Sequence, residues 1–198
     1  MTCTNNISSI TVFCGSADGL NSDFLDAAYQ TGKILANNHI RLVYGAGKTG
    51  LMGAVAEGAL NAGGEVIGIV PENLNTPQLI HANLTELIVC SDIQLRKAKM
   101  SALADAFIAL PGGYGTLDEL FETLTWAQIG IHHKPVGLLN TRNYYDPLLS
   151  MVNAAKNEGF IYAEHAVLFA IDAEPEVLLN KLVQFQLPEG LERWVDRN

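Results

Sequence analysis

The stretch Pro111-Gly112-Gly113-Tyr114-Gly115-Thr116-Leu117-Asp118-Glu119 has the residue types of an anion site. Glycines lack a Cβ, so the N–H groups of such a loop can close on a small anion. A helix beginning near Thr116 adds the positive end of its dipole at the same place, and a phosphate of a small nucleotide is the natural guest. Thr116-x-x-Glu119 is also the pattern of a capping box, in which Glu119 would only satisfy a backbone N–H. From these residues alone, Glu119 is equally a cap and a site carboxylate.

A second glycine loop, Gly45-Ala46-Gly47-Lys48-Thr49-Gly50, fits GxGxxG between a strand and a helix, the setting of a dinucleotide fingerprint. Such a site also needs an acidic residue at the end of the next strand. Glu65 has the distance but begins its strand, and Glu72 follows Pro71. A nicotinamide-dependent oxidoreductase is therefore a rival reading without its acidic partner. The loop is not a Walker A, because Leu42 stands where that pattern needs glycine. Glycines serving only a tight turn and close helix packing remain the plainer alternative.

The elements that must position these loops alternate. Ile10–Gly15, Arg41–Tyr44, Glu65–Val70, Leu84–Val89, Ala106–Leu110, Val136–Leu139 and Val167–Ile171 read as strands. Phe24–Asn37, Leu51–Ala62, Gln94–Leu103, Thr116–Gln128, Pro147–Lys156 and Glu174–Phe185 read as helices, and 71–83 as a surface loop. Right-handed crossovers then give a single-domain, Rossmann-like, doubly wound parallel α/β sheet of about seven strands, with helices on both faces. The whole of 1–198 reads as one domain with an ordered core over about 7–187. Both glycine loops fall at the carboxyl ends of strands, where such sheets bind ligands.

Composition narrows the partners. With 48% hydrophobic and 17% charged residues the chain has the makings of a packed core, not of a disordered segment. Its net charge is -9, and the densest basic run is only Arg96-Lys97-Ala98-Lys99, so neither a nucleic acid polymer nor an anionic membrane is an expected partner. Cys3, Cys14 and Cys90 have no CxxC spacing and read as reduced thiols. With no leader pattern and no long apolar run, the expectation is a soluble cytoplasmic protein. His39, His81, His132, His133 and His165 are scattered and read as structural.

Taken together, the segments resemble the Lonely Guy family of cytokinin riboside 5′-monophosphate phosphoribohydrolases. Pro111–Glu119 matches its PGGxGTxxE motif, Gly45–Gly53 its glycine loop ending GLMG, Phe13–Ser16 its FCGS, and Arg96, Lys97 and Met100 its RKxxM stretch. Thr125–His132 and Lys134–Asn140 are also similar to the family, so the resemblance spans roughly 10–170. Ala46 and Ala17 depart from a usual glycine and serine, and Gln94 stands where relatives often carry histidine.

The resemblance implies hydrolysis of the N-glycosidic bond of a purine or cytokinin nucleoside 5′-monophosphate, with Glu119 and Arg96 catalytic. Glu119 would steady an oxocarbenium-like sugar and orient water; Arg96 would hold Glu119 or the phosphate, or assist the departing base. Gly112, Gly113, Gly115 and Thr116 would hold the 5′-phosphate. Gly45 and Gly47 would line the other wall, with Ser16 near the ribose phosphate and Lys97 and Glu122 in support. Gln94 and loop 71–83 would shape the base pocket, and Phe121 and Trp126 would serve the core or a subunit interface. A homodimer without metal or organic cofactor is implied. The rival outside enzymology is a non-catalytic nucleotide-binding protein on the same scaffold. A lysine decarboxylase label borne by some relatives would need a Schiff-base lysine in a recognisable setting, which this sequence does not offer.

Overall fold

The computed structural model describes residues 4–191. Its strands are β1 (Ser9–Phe13), β2 (Arg41–Tyr44), β3 (Val66–Pro71), β4 (Glu86–Cys90), β5 (Ala106–Ala109), β6 (Val136–Leu139) and β7 (Ala170–Asp172). The helices are α1 (Ser22–Asn37), α2 (Gly50–Asn61), α3 (Ile93–Leu103), α4 (Tyr114–Gln128), α5 (Asp146–Asn157) and α6 (Pro175–Val183). All strand pairings are parallel, in the order β4-β3-β2-β1-β5-β6-β7. β1, β3, β5 and β6 are buried along their whole length, because helices cover both faces. β4, at the edge, leaves Leu87 and Val89 exposed.

Two cores follow from the double winding. Ile10, Val12, Leu35, Leu51, Val55 and Leu178 pack between the sheet and α1, α2 and α6. Phe13, Met100, Phe107, Leu120, Leu138 and Tyr145 fill the opposite side beneath α3, α4 and α5. α1 and α2 approach until their backbones touch: a Cβ on Gly32 would overlap the Val55 carbonyl oxygen, and one on Gly58 that of Tyr29. Strand order reverses between β1 and β5, which pair directly, and the crevice above that switch point lies between their carboxyl ends.

Several expected boundaries need correction, most by one or two residues; β1 ends at Phe13, β3 runs on to include Pro71, and β4 is Glu86–Cys90. α4 starts at Tyr114 with Gly113 as its N-cap and no capping side chain, so the Thr116–Glu119 capping box does not form. Gly113 carries no side chain that could signal the start. The last strand is Ala170–Asp172, preceded by a 3₁₀ turn at His165–Val167 that takes up Val167, the first residue expected in it. Loop 71–83 opens with a short 3₁₀ turn at Glu72–Leu74. Cys14 is buried and Cys90 half-buried, both free thiols, while Cys3 lies outside the described residues. Among the described residues no helix is long and apolar enough to cross a membrane.

Candidate active site

A cleft of about 620 Å³ occupies the switch point. One wall is the glycine loop: Gly112, Gly113, Gly115 and Thr116 all line it, together with Ser16 from the end of β1. The loop is locked to β1 where the Gly15 N–H donates to the Pro111 carbonyl at 3.0 Å. Gly112 lies so close to Thr116 that a Cβ there would collide with its hydroxyl. At Gly113 and Gly115 a Cβ would meet nothing within 4 Å, so these glycines leave open space in front of the helix. The first-turn N–H groups of α4 have no carbonyl partner within the helix and no capping side chain, an arrangement that suits an anion.

Arg96 and Glu119 meet at the floor. Arg96 Nη1 donates to Glu119 Oε1 at 2.7 Å, and both side chains are largely buried. The guanidinium is held at a second point by Nε donating to the Ile69 carbonyl at 3.2 Å. Gly45 makes the slot, because a Cβ there would overlap Arg96 Nη2. Burial pushes the Glu119 carboxyl above its usual pKa, and the Arg96 charge and hydrogen bond oppose that push. The result is a desolvated carboxylate fixed by a rigid fork, with one edge on the cleft.

The remaining expected residues divide. Lys97 and Glu122 do not line the cleft. Lys97 Nζ donates to Asp118 and Glu122, both at 3.0 Å, tying α3 to the first turns of α4 behind the Arg96–Glu119 pair. Burial works against the Lys97 charge, but its bonds to Glu122 and Asp118 outweigh that and raise its pKa. Gly47 lines a side chamber of about 200 Å³ that shares Ser16, Gly45, Met52, Leu74 and Arg96 with the main cleft. Val70, Pro71, Leu79 and Ile80 complete the apolar wall of that chamber. Loop 71–83 thus lines the side chamber, whereas Gln94 is exposed and lines neither cavity.

Ala46, the departure from glycine, is buried with a left-handed φ of 64°. Phe121 is 44% exposed, which removes it from the core. His132 is buried against the Thr123 carbonyl and His165 faces that of Leu191, both away from the cleft. Glu65, the only acidic residue at dinucleotide spacing, sits at the opposite end of β3 in an ion pair with Arg41. Sequence reasoning missed Leu20, Phe24 and Tyr144, which form the aromatic and apolar rim facing the glycine loop. Leu20 precedes α1, Phe24 lies in its first turn and Tyr144 in the turn after β6, and their types are those of ordinary core residues.

The fold and this crevice define a Rossmann-like protein with a cleft at its topological switch point, the place where such sheets bind ligands. Residues 52–182 match the family described as "Possible lysine decarboxylase". A "probable cytokinin riboside 5′-monophosphate phosphoribohydrolase" of Oryza sativa subsp. japonica is 47% identical over 174 residues, 88% of this chain and 82% of the relative. A cytokinin riboside 5′-monophosphate phosphoribohydrolase of Arabidopsis thaliana is 46% identical over 178 residues, 89% and 83% of the two chains. The chain belongs to this Lonely Guy family. Among solved structures, a molybdenum cofactor binding protein from Rippkaea orientalis is similar at 26% identity with a TM-score of 0.68, over 88% of this chain and 94% of that one.

Proposed function

We propose that the chain hydrolyses the N-glycosidic bond of purine nucleoside 5′-monophosphates, releasing free base and ribose 5-phosphate. The observation that carries this reading is the buried Arg96–Glu119 pair opening on the same cleft as the glycine-led start of α4. Phosphate binding alone has no use for a desolvated carboxylate next to the anion. Cleavage at an anomeric carbon does, because positive charge develops on the sugar as the bond to the base breaks.

In this reaction the 5′-phosphate sits on the N–H groups of Gly113, Gly115 and Thr116, which brings the ribose over Glu119. The C1′–N9 electron pair leaves with the base, which gains a proton. Water adds its oxygen to C1′ and gives up a proton to Glu119, which returns it to solvent, while the base takes its proton from solvent. Arg96 keeps Glu119 aimed at the sugar, and Lys97 holds the helix pair that carries both. The side chamber offers an apolar compartment beside the base, which favours a base bearing an apolar substituent over plain adenine. The names of the relatives support that choice.

Purified protein incubated with AMP and with isopentenyladenosine monophosphate, followed by chromatography, tests the reading. Free base and ribose 5-phosphate are expected from both, faster from the prenylated nucleotide. Glu119→Gln is expected to lose at least about a hundredfold in turnover while still binding ribose 5-phosphate, as for other groups aimed at developing charge. Undiminished turnover in that variant would remove Glu119 from the mechanism.

A further inference from the structure

The carbonyls that lead into α4 are each held by a donor. The Tyr145 hydroxyl donates to the Leu110 carbonyl at 2.7 Å, and the Gly15 N–H to that of Pro111 at 3.0 Å. The Tyr144 hydroxyl donates to the Gly112 carbonyl at 2.5 Å. In a trans peptide the following N–H points opposite to the carbonyl. The Tyr144 hydroxyl therefore decides which way the Gly113 N–H faces. Without it, a peptide between two glycines turns over at little steric cost.

The turn that delivers Tyr144 is held against its own preference. Arg142 and Asn143, neither of them glycine, have left-handed φ values of 55° and 59°. Such a conformation costs an L-residue roughly 1 kcal/mol. Asn140 holds the turn closed. Its side-chain oxygen accepts from the Tyr145 N–H at 2.7 Å, its carbonyl from the Asn143 N–H at 3.1 Å, and its amide donates to Asp146 at 2.9 Å. Arg142 reaches across to Asp23 on α1, and Phe24 of the same helix meets the Tyr144 ring edge-on. Strain maintained by this many contacts beside a cleft is a mark of pre-organisation.

We propose that Tyr144 is a positioning residue for the anion loop, locking the Gly112–Gly113 peptide so that a sugar phosphate meets donors already in place. The proposal rests on the nucleotide reading above and adds the residue that prepares its phosphate site. Ordering those donors in advance removes a cost that binding would otherwise bear.

Calorimetric titration of the wild-type chain and Tyr144→Phe with ribose 5-phosphate, and separately with adenine, tests this. Phenylalanine keeps the ring against Phe24 and removes only the donor. Loss of one hydrogen bond predicts about fivefold weaker ribose 5-phosphate binding with adenine affinity unchanged. Equal ribose 5-phosphate affinity in both proteins overturns the proposal, as does an equal loss for adenine, which would mean general loosening. The hydrolase reading is judged separately, by base release from AMP. A wild-type chain that binds ribose 5-phosphate but releases no base removes the reaction and leaves the effect of Tyr144→Phe decisive, whereas one that does not bind it overturns both.

Discussion

Lys97 is a side chain whose value lies in its effect on a neighbour. It touches Asp118 and Glu122, and its charge lowers the Glu119 pKa that burial raises. In the proposed reaction Glu119 acts in its ionised form, so activity is expected to fall on the acid side at a higher pH than an ordinary carboxylate would give. Lys97→Met removes part of the opposition to the upward push, so the acid limb of kcat/KM is expected to move to higher pH. The second ionisation of the substrate phosphate, near pH 6 by analogy with phosphorylated side chains, is the same for both proteins and cannot produce the difference. Coincident profiles for the two proteins would show that Lys97 does no more than link helices. Arg96 and Glu119 were legible as residue types in a motif, but their mutual bond was not. The slot that Gly45 opens for the guanidinium is a feature of packing, and a glycine in a loop gives no sign of which side chain it admits.

At the scale of elements, the short apolar runs were readable because central parallel strands are buried on both faces. β2 and β6 lie where the pattern puts them, at Arg41–Tyr44 and Val136–Leu139. The start of α4 was obscured by its N-cap, since Gly113 has none of the oxygen-bearing side chains that announce a helix. The rim formed by Phe24 and Tyr144 was hidden because its members lie far apart in the chain. The α1–α2 contact supports a stability prediction whose sign opposes helix propensity. Glycine to alanine inside a helix ordinarily stabilises by up to about 1 kcal/mol. At Gly58 the added methyl would overlap the Tyr29 carbonyl, and overpacking of this kind costs about 1–3 kcal/mol. Gly58→Ala is expected to lower the denaturant midpoint, and a higher midpoint would mean that α1 and α2 part without penalty.

For the whole molecule, net charge and site chemistry pull in different directions. A chain of net charge -9 repels an anionic nucleotide at long range, while the proposed phosphate site would attract it at short range through backbone dipoles. Added salt screens the first interaction more than the second. The rate parameter kcat/KM for AMP is therefore expected to hold steady or rise between about 0.01 M and about 0.15 M salt. A steep fall over that range would reveal a positive funnel that the charge balance does not suggest.

The side chamber is attached to the rest of the site in a way that bears on descent. Loop 71–83 is joined to the 45–50 loop by main-chain bonds, Lys48 N–H to the Leu79 carbonyl at 3.0 Å and His81 N–H to that of Ala46 at 2.9 Å. Bonds of this kind are blind to side-chain identity. A lineage can exchange Leu74, Leu79 or Ile80 and keep the loop in register, with Arg96, Glu119 and the start of α4 undisturbed. If the chamber receives the base as proposed, appetite for new bases can thus drift generation by generation, while the residues assigned to cleavage are inherited intact.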